Sequence, residues 1–378
     1  MTSAVTLAQS ASAGYTPFFK NRVINGAMRI DQRNLGASTT PAVDGVFHID
    51  RWQSYGTGAA PSKYSVQRNA GAVTPPPGFD HYLGLTSLSA YPSAAGDYLS
   101  QSQYIEGNNI VDFAWGTSSA KTVTLSFWVR SSLSGQFGGA IQNAARNRSY
   151  PYIYTITSPN TWEYKTITIP GCPDGTWLTD NSIGCQVIFN IGVGTVYGSG
   201  TPGAWANANW WGSTGDTKIT AVNGATWYIT GVQLEVGSAA TSFDYRNYGT
   251  ELALCQRYFY RMYGVSCTLG IINQASGSWT LTTMTHPTTM RTNPTFGHNL
   301  TDAKRVVASP TANQWAVYNQ NVGWGSISFS PASTFEGIFN GGGTTARGHA
   351  GGYYTTFSAG ATHIYLGSNL YMEWAAEL

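Results

Sequence analysis

The sequence predicts an all-β protein: an antiparallel jelly-roll sandwich, then a short linker helix, then a second β-sandwich-like C-terminal domain. Three observations carry this. Only 10% of the 378 residues are charged, against about 25% in ordinary globular proteins, which leaves too few Glu, Lys and Arg to wet the outer faces of long amphipathic helices. Aromatic residues make up 13%, and with Thr and Val they suit strands. The 44 glycines fall largely in turn-rich loops such as Pro170 to Gly175 and Gly198 to Gly203, which favour hairpins over βαβ crossovers.

Residues 1–20 are mostly small and polar, with Tyr15, Phe18 and Phe19 as the large groups. Such a segment buries too little surface to offset its own chain entropy, so it reads either as a docking arm anchored by those three rings or as a disordered terminus. Residues 21–248 form the expected jelly roll. From Thr122 to Arg130, positions 123, 125, 127 and 129 are apolar, the period of a strand with one buried face. The run Gln186 to Val193 repeats this with Val187, Phe189, Ile191 and Val193, and Trp162 to Ile169 is a third β-rich run. From Trp227 to Val236 the apolar parity switches across Gly231, which a bulge there would accommodate. The helical period of Leu252, Cys255 and Phe259 places the linker helix at 249–261. The C-terminal β domain, 262–378, shows strand-like runs at Trp279 to Met284, Gln314 to Tyr318, Gly325 to Phe329, Thr362 to Leu366 and Leu370 to Leu378. Its glycine-rich segment 341–352 reads as a loop, because neither a following helix pattern nor a Lys-Ser/Thr pair completes a phosphate cradle.

A net charge of +2 offers no field for nucleic acid. The first twenty residues lack the basic and apolar regions of a secretory signal, and no run of about 18 apolar residues exists to insert in a membrane, so a soluble protein is expected. Cys172, Cys185, Cys255 and Cys267 lack CxxC spacing and read as buried free thiols, though a Cys172/Cys185 bridge is open on sequence alone. The six histidines show no metal-binding or metalloprotease spacing, and no Gly-x-Ser-x-Gly occurs. The carboxylates are scattered, with Glu235 and Glu251 suited to capping and structural pairing. Loop residues Asp44, Asp50, Asp97, Asp174 and Asp180 could hold a structural calcium but lack Asp-x-Asp spacing. No catalytic residue, metal or cofactor is expected.

Aromatic side chains are the abundant reagent, since an exposed Trp or Tyr offers an apolar face to a pyranose and a polar edge to its hydroxyls. Trp205, Trp210 and Trp211 lie among amides in Ala204 to Gly212, and Trp324 closes a similar run from Gln314. With Tyr353 and Tyr354 these are the glycan-binding candidates, the alternative being packing or subunit contact. Trp52, Trp128, Trp162 and Trp227, in or beside strand patterns, are expected in the core.

Three segments resemble a widespread group of bacteriophage tail-fibre and minor virion structural proteins carrying a carbohydrate-binding-module-like jelly roll. They are Asn21 to Arg33, which opens Asn21-Arg-Val-Ile-Asn-Gly26, followed by Asp50-Arg-Trp52; the strands Lys121 to Arg130 and Trp162 to Pro170; and Ile229-Thr-Gly-Val-Gln-Leu-Glu-Val-Gly-Ser238 running into Tyr248 to Tyr258. The resemblance implies a structural role in the virion, assembled in the host cytoplasm, with oligomeric assembly and glycan contact. It points first to a baseplate-attached tail fibre that meets host-surface glycans, and second to a capsid decoration or head-fibre protein; a depolymerising tailspike stands third. The arm would dock on other virion proteins. The alternation Leu370, Met372, Trp374, Ala376, Leu378 gives the chain end a buried strand face, which together with the three-fold symmetry common in phage fibres implies a homotrimer.

Overall fold

The computed structural model describes residues 19–41, 43–55 and 63–263, and beyond them the strands named below together with 287–292 and 376–378. It divides into two compact units, Met1–Leu252 with Leu378, and Ala253–Glu377. The first is an antiparallel jelly-roll sandwich. Its strands are β1 (Val46–Ile49), β2 (Trp52–Tyr55), β3 (Tyr64–Arg68), β4 (Leu83–Ser87), β5 (Tyr98–Glu106), β6 (Val123–Ser131), β7 (Gly135–Asn143), β8 (Ser149–Ile156), β9 (Glu163–Ile169), β10 (Ile183–Val193) and β11 (Thr226–Val236). One sheet runs β1-β2-β5-β10-β7-β8 and the other β3-β4-β11-β6-β9.

The two inner faces meet in one aromatic core. Val123, Leu125, Phe127 and Val129, alternate residues of β6, are all buried within it, as a period of two requires. Phe189 of β10 packs edge-on against Phe127, ring centroids 5.1 Å apart, and lies 6.2 Å from Trp52 and 5.7 Å from Trp227. The Trp227 indole donates to the Tyr154 hydroxyl at 3.1 Å, so the one polar atom that the indole brings into the core is paired.

Gly231 lies at φ +62°, and the β11–β6 register shifts between Thr230 and Gln233, which is the bulge its sequence parity predicts. A second shift, between Asn190 and Gly192, changes the expected reading of β10: Val187, Phe189 and Ile191 enter the core, but Val193 joins a cluster on the outer face. Two of the four strand tryptophans also differ from expectation. Trp52 and Trp227 are fully buried, whereas Trp128 and Trp162 are partly exposed. Trp128 alternates with the inward residues of β6 and therefore faces outward, where it packs against Tyr164 of the edge strand β9 at 5.4 Å.

Residues 20–34 are laced onto this frame. The Asn21 side chain donates to the Val232 carbonyl at 2.9 Å and accepts from Leu234 N at 3.0 Å. Asn25 accepts from Ile30 N and donates to the Ile30 and Asp50 carbonyls, while its own carbonyl takes the Trp52 indole hydrogen at 3.1 Å. Gly26 accepts from Val232 N at 2.9 Å. Arg246 donates to the Asn21 and Val23 carbonyls and to Glu251. Asn21, Asn25, Gly26, Asp50, Trp52, Val232, Leu234, Arg246 and Glu251 thus form a single structural joint.

Cys172, Cys185 and Cys255 are buried and outside any disulfide; Cys267 lies outside the described residues. The helix, α1, spans Tyr248–Gln256. It stops short of Arg261 because Phe259–Tyr263 forms a strand, registered against the terminal strand Tyr371–Ala375 with Arg261 opposite Glu373, and those two side chains make an ion pair.

In the second unit the described strands form three antiparallel sheets. Phe259–Tyr263, Tyr371–Ala375 and Thr295–His298 make the first; Ser278–Leu281, Thr268–Asn273, Thr362–Leu366, Trp315–Asn319 and Gly323–Gly325 the second; Met284–Thr285, Thr345–Ala350 and Phe335–Ile338 the third. The terminal run is therefore a strand, central in its sheet, and Ala376 behind it is buried. Residues 345–350, read from sequence as part of a glycine-rich loop, form a strand whose residues 347–350 pair with Phe335–Ile338.

Candidate glycan-binding face

Residues directly opposite one another in a sheet share a face, so register alone assembles the outer surface of the six-stranded sheet. One row holds Tyr55, Ser100 and Asn190; a second Gln53, Ser102, Ile188, Ala140 and Pro151; a third Tyr104, Gln186, Gln142 and Ser149. These rows are rich in buried amides and hydroxyls, with aromatic rings at one end.

The long connection between β10 and β11 crosses this face. Asp216 pins it down, accepting from Ser213 N at 2.8 Å, Asn190 Nδ2 at 2.9 Å and Gln136 Nε2 at 3.1 Å. Burial pushes the Asp216 carboxyl above its usual range, against the pull of these donors and of Lys218. Trp210 donates its backbone N–H to Ser149 Oγ at 3.2 Å and accepts Gln142 Nε2 on its carbonyl at 2.7 Å. Trp211 turns into the surface, only 1% exposed, with ring centroids 5.1 Å from Tyr55 and 5.2 Å from Tyr98. Its indole donates to Asn209 at 2.7 Å.

Tyr55, Tyr104 and Trp211 are thus a buried floor, and Tyr98, Tyr197, Trp210 and Arg146 a partly exposed rim. Tyr98 packs on Tyr197 at 5.5 Å and donates its hydroxyl to Asp44 at 2.7 Å. The Tyr55 and Tyr104 hydroxyls bond each other. Burial, reinforced by Tyr104, holds the Tyr55 phenol far above its ordinary range despite the nearby Arg146, so it stays neutral and able to donate. Four buried polar atoms of the three rows have no hydrogen-bond partner: Gln53 Nε2, Ser100 Oγ, Gln142 Oε1 and Gln186 Oε1.

The structure separates the residues singled out from sequence. Trp210 and Trp211 belong to this face. Trp205 lies elsewhere, in a cluster with Trp115, Trp177 and Tyr150 at 5.2–5.5 Å, its indole donating to the Pro170 carbonyl; it closes the core. Trp324 sits in the strand Gly323–Gly325 rather than a loop, and Tyr353 and Tyr354 lie outside the described residues. So do Tyr15 and Phe18. Phe19 is described: it is 48% exposed with the Arg246 guanidinium 5.5 Å from its ring centre. Tyr55, Tyr98, Tyr104, Tyr197 and Arg146 were not singled out from sequence; they come from two strands, the β10–β11 connection and the β7–β8 turn, and meet only in the folded sheet.

The loop carboxylates considered for calcium are engaged with the protein: Asp50 accepts from Gln32, Asp97 from Tyr91 and Ala94 N, Asp174 pairs with Arg148, and Asp180 takes Ser182 N. Among the described residues no group of three or more His, Cys, Asp or Glu is arranged to hold a metal. Glu235 accepts from Thr241 N and Gln233, and Glu251 from Asn25 N, the structural roles expected for both.

No protein-family model and no curated protein matches the chain. Among solved structures it is similar to the enzymatically active domain of tailspike protein 4 of bacteriophage CBA120, at 14% identity over 58% of this chain and 22% of that one, with a TM-score of 0.31. It is also similar to a CBM4 structure (17% identity, 56% of this chain and 98% of that one, TM-score 0.27). A family 11 carbohydrate-binding module of a cellulosomal cellulase from Clostridium thermocellum is a third (15%, 54% and 98%, TM-score 0.24). These likenesses are of fold. The match takes in only about a fifth of the tailspike domain's length.

Proposed function

We propose that this chain is a glycan-binding structural protein of a bacteriophage particle, a baseplate-attached tail fibre that holds host-surface polysaccharide on the outer face of its six-stranded sheet. The observation that carries the glycan reading is that face: the partly exposed rings of Tyr98, Tyr197 and Trp210 beside the partly exposed amide of Asn209 and guanidinium of Arg146. Rings serve the apolar faces of sugars, and amides and hydroxyls serve their hydroxyl groups. Binding rather than catalysis is the proposed activity, and release of reducing sugar from host polysaccharide would contradict it.

The virion assignment rests on the Asn21–Gly26, Asp50–Trp52 and Ile229–Tyr258 motifs. In this reading residues 1–20 dock on other virion proteins, the C-terminal unit trimerises, and neither nucleic acid nor membrane is a partner. Single glycan sites are weak and gain strength by repetition, so particles should retain purified host polysaccharide better than isolated subunits do. Particles carrying Tyr98→Ala with Trp210→Ala should lose about tenfold or more in adsorption; unchanged adsorption would remove this face as the receptor site. Localisation of the subunit by cryo-electron microscopy separates a tail fibre from a capsid decoration or head-fibre protein.

A further inference from the structure

Arg146 sits at the rim of the glycan face in a conformation that its residue type disfavours. It occupies the turn between β7 and β8, which Asn143 closes by accepting Arg146 N on its carbonyl at 3.0 Å and Asn147 N and Arg148 N on its side chain at 3.1 Å. Its φ is +54°, the left-handed region where glycine or asparagine is at ease and other residues cost about 1 kcal/mol. The turn therefore gains nothing from an arginine there. The side chain does: its guanidinium lies 5.6 Å from the centre of the Tyr55 ring and 5.2 Å from that of Trp211. Its Nη2 donates to the Tyr104 hydroxyl at 2.9 Å and the Tyr55 hydroxyl at 3.3 Å.

Both partners of Nη2 are tyrosine hydroxyls, and no carboxylate among the described residues pairs with Arg146, in contrast to Arg22, Arg148, Arg246 and Arg261, each of which has one. Asp44, whose charge acts on Tyr55, is engaged by Tyr98. Among the described residues only Nη2 of Arg146 has hydrogen-bond partners. A guanidinium stacked on rings, held by tyrosine hydroxyls and without a carboxylate partner among the described residues, is preorganised for an external anion.

Resting on the glycan reading above, we infer that the ligand of this face is an acidic polysaccharide, and that Arg146 binds a sugar carboxylate while the neighbouring amides take hydroxyls. This adds a charge-dependent component to a surface whose composition otherwise implies little salt dependence.

The test uses the full-length protein and immobilised polygalacturonate, alginate and hyaluronate, each beside its carboxyl-reduced counterpart. At least one acidic polymer should bind about tenfold more tightly than its reduced form, and added salt should erase the difference. Arg146→Gly should melt no lower than the wild type, since glycine relieves the positive φ, and should bind the acidic and reduced forms equally. Wild-type protein that holds reduced and acidic polymers alike overturns the acidic ligand but leaves the glycan face standing. Failure to bind any polymer of either kind overturns both, and Arg146→Gly with an intact preference overturns the role of Arg146.

Discussion

Replacing Gly26 by alanine should destabilise the first unit by about 3 kcal/mol, the upper range for forcing extra volume into a packed site. A Cβ on Gly26 would stand 2.1 Å from the Val232 carbonyl oxygen and 3.3 Å from Asn21 Nδ2. The backbone atoms on both sides are fixed: Val232 N donates to the Gly26 carbonyl, and the Val232 carbonyl takes the Asn21 amide. Relief would require the segment to move off β11, breaking the Asn21 contacts and loosening the Asn25 contacts to Asp50 and Trp52. At about 2–4 °C per kcal/mol for a unit of this size, the melting temperature should fall by about 10 °C. Gly96→Ala, where nothing lies within 4 Å of the added carbon, serves as the control and should change little.

The second large effect separates two tryptophans that sequence alone treats alike. Trp52→Ala should cost about 3–5 kcal/mol, the range for emptying a fully buried large aromatic site, because its ring fills the core beside Phe189 and its indole holds the Asn25 carbonyl. Trp128→Ala should cost under about 1 kcal/mol, as partly exposed positions do, since the ring lies on the outer face against Tyr164, itself 44% exposed. Urea midpoints of the two variants measure the contrast; equal losses would mean that Trp128 is a core residue.

Much of the frame was legible because strand parity is a local property. The buried set Val123, Leu125, Phe127 and Val129 and the bulge at Gly231 follow from spacing alone, and the same parity places Trp128 outside, a consequence that treating every strand aromatic as core overlooks. Val193 escaped because the shift at Gly192 moves it to the opposite face. The end of α1 was misplaced because Phe259 fits both a helical period and a strand. The deciding partner is the strand Tyr371–Ala375, more than a hundred residues away, and local pattern carries no trace of it. The candidate site was half visible for the same reason. The amide-flanked Trp210 and Trp211 stand out in sequence, whereas Tyr55, Tyr98, Tyr104 and Arg146 come from separate strands and a turn, and only the order β2-β5-β10-β7 unites them. One local signal was available: an arginine in a hairpin turn, where glycine or asparagine would be easier.

Hydrogen exchange of the full-length protein with and without host polysaccharide tests the central claim most directly, because it reports which sheet the ligand covers. The glycan-face account predicts slower exchange in β5, β10 and the loop from Gly194 to Ser213, with no change in β6 and β9. Protection confined to β6 and β9, around Trp128 and Tyr164, would place the ligand on the opposite sheet and contradict the account.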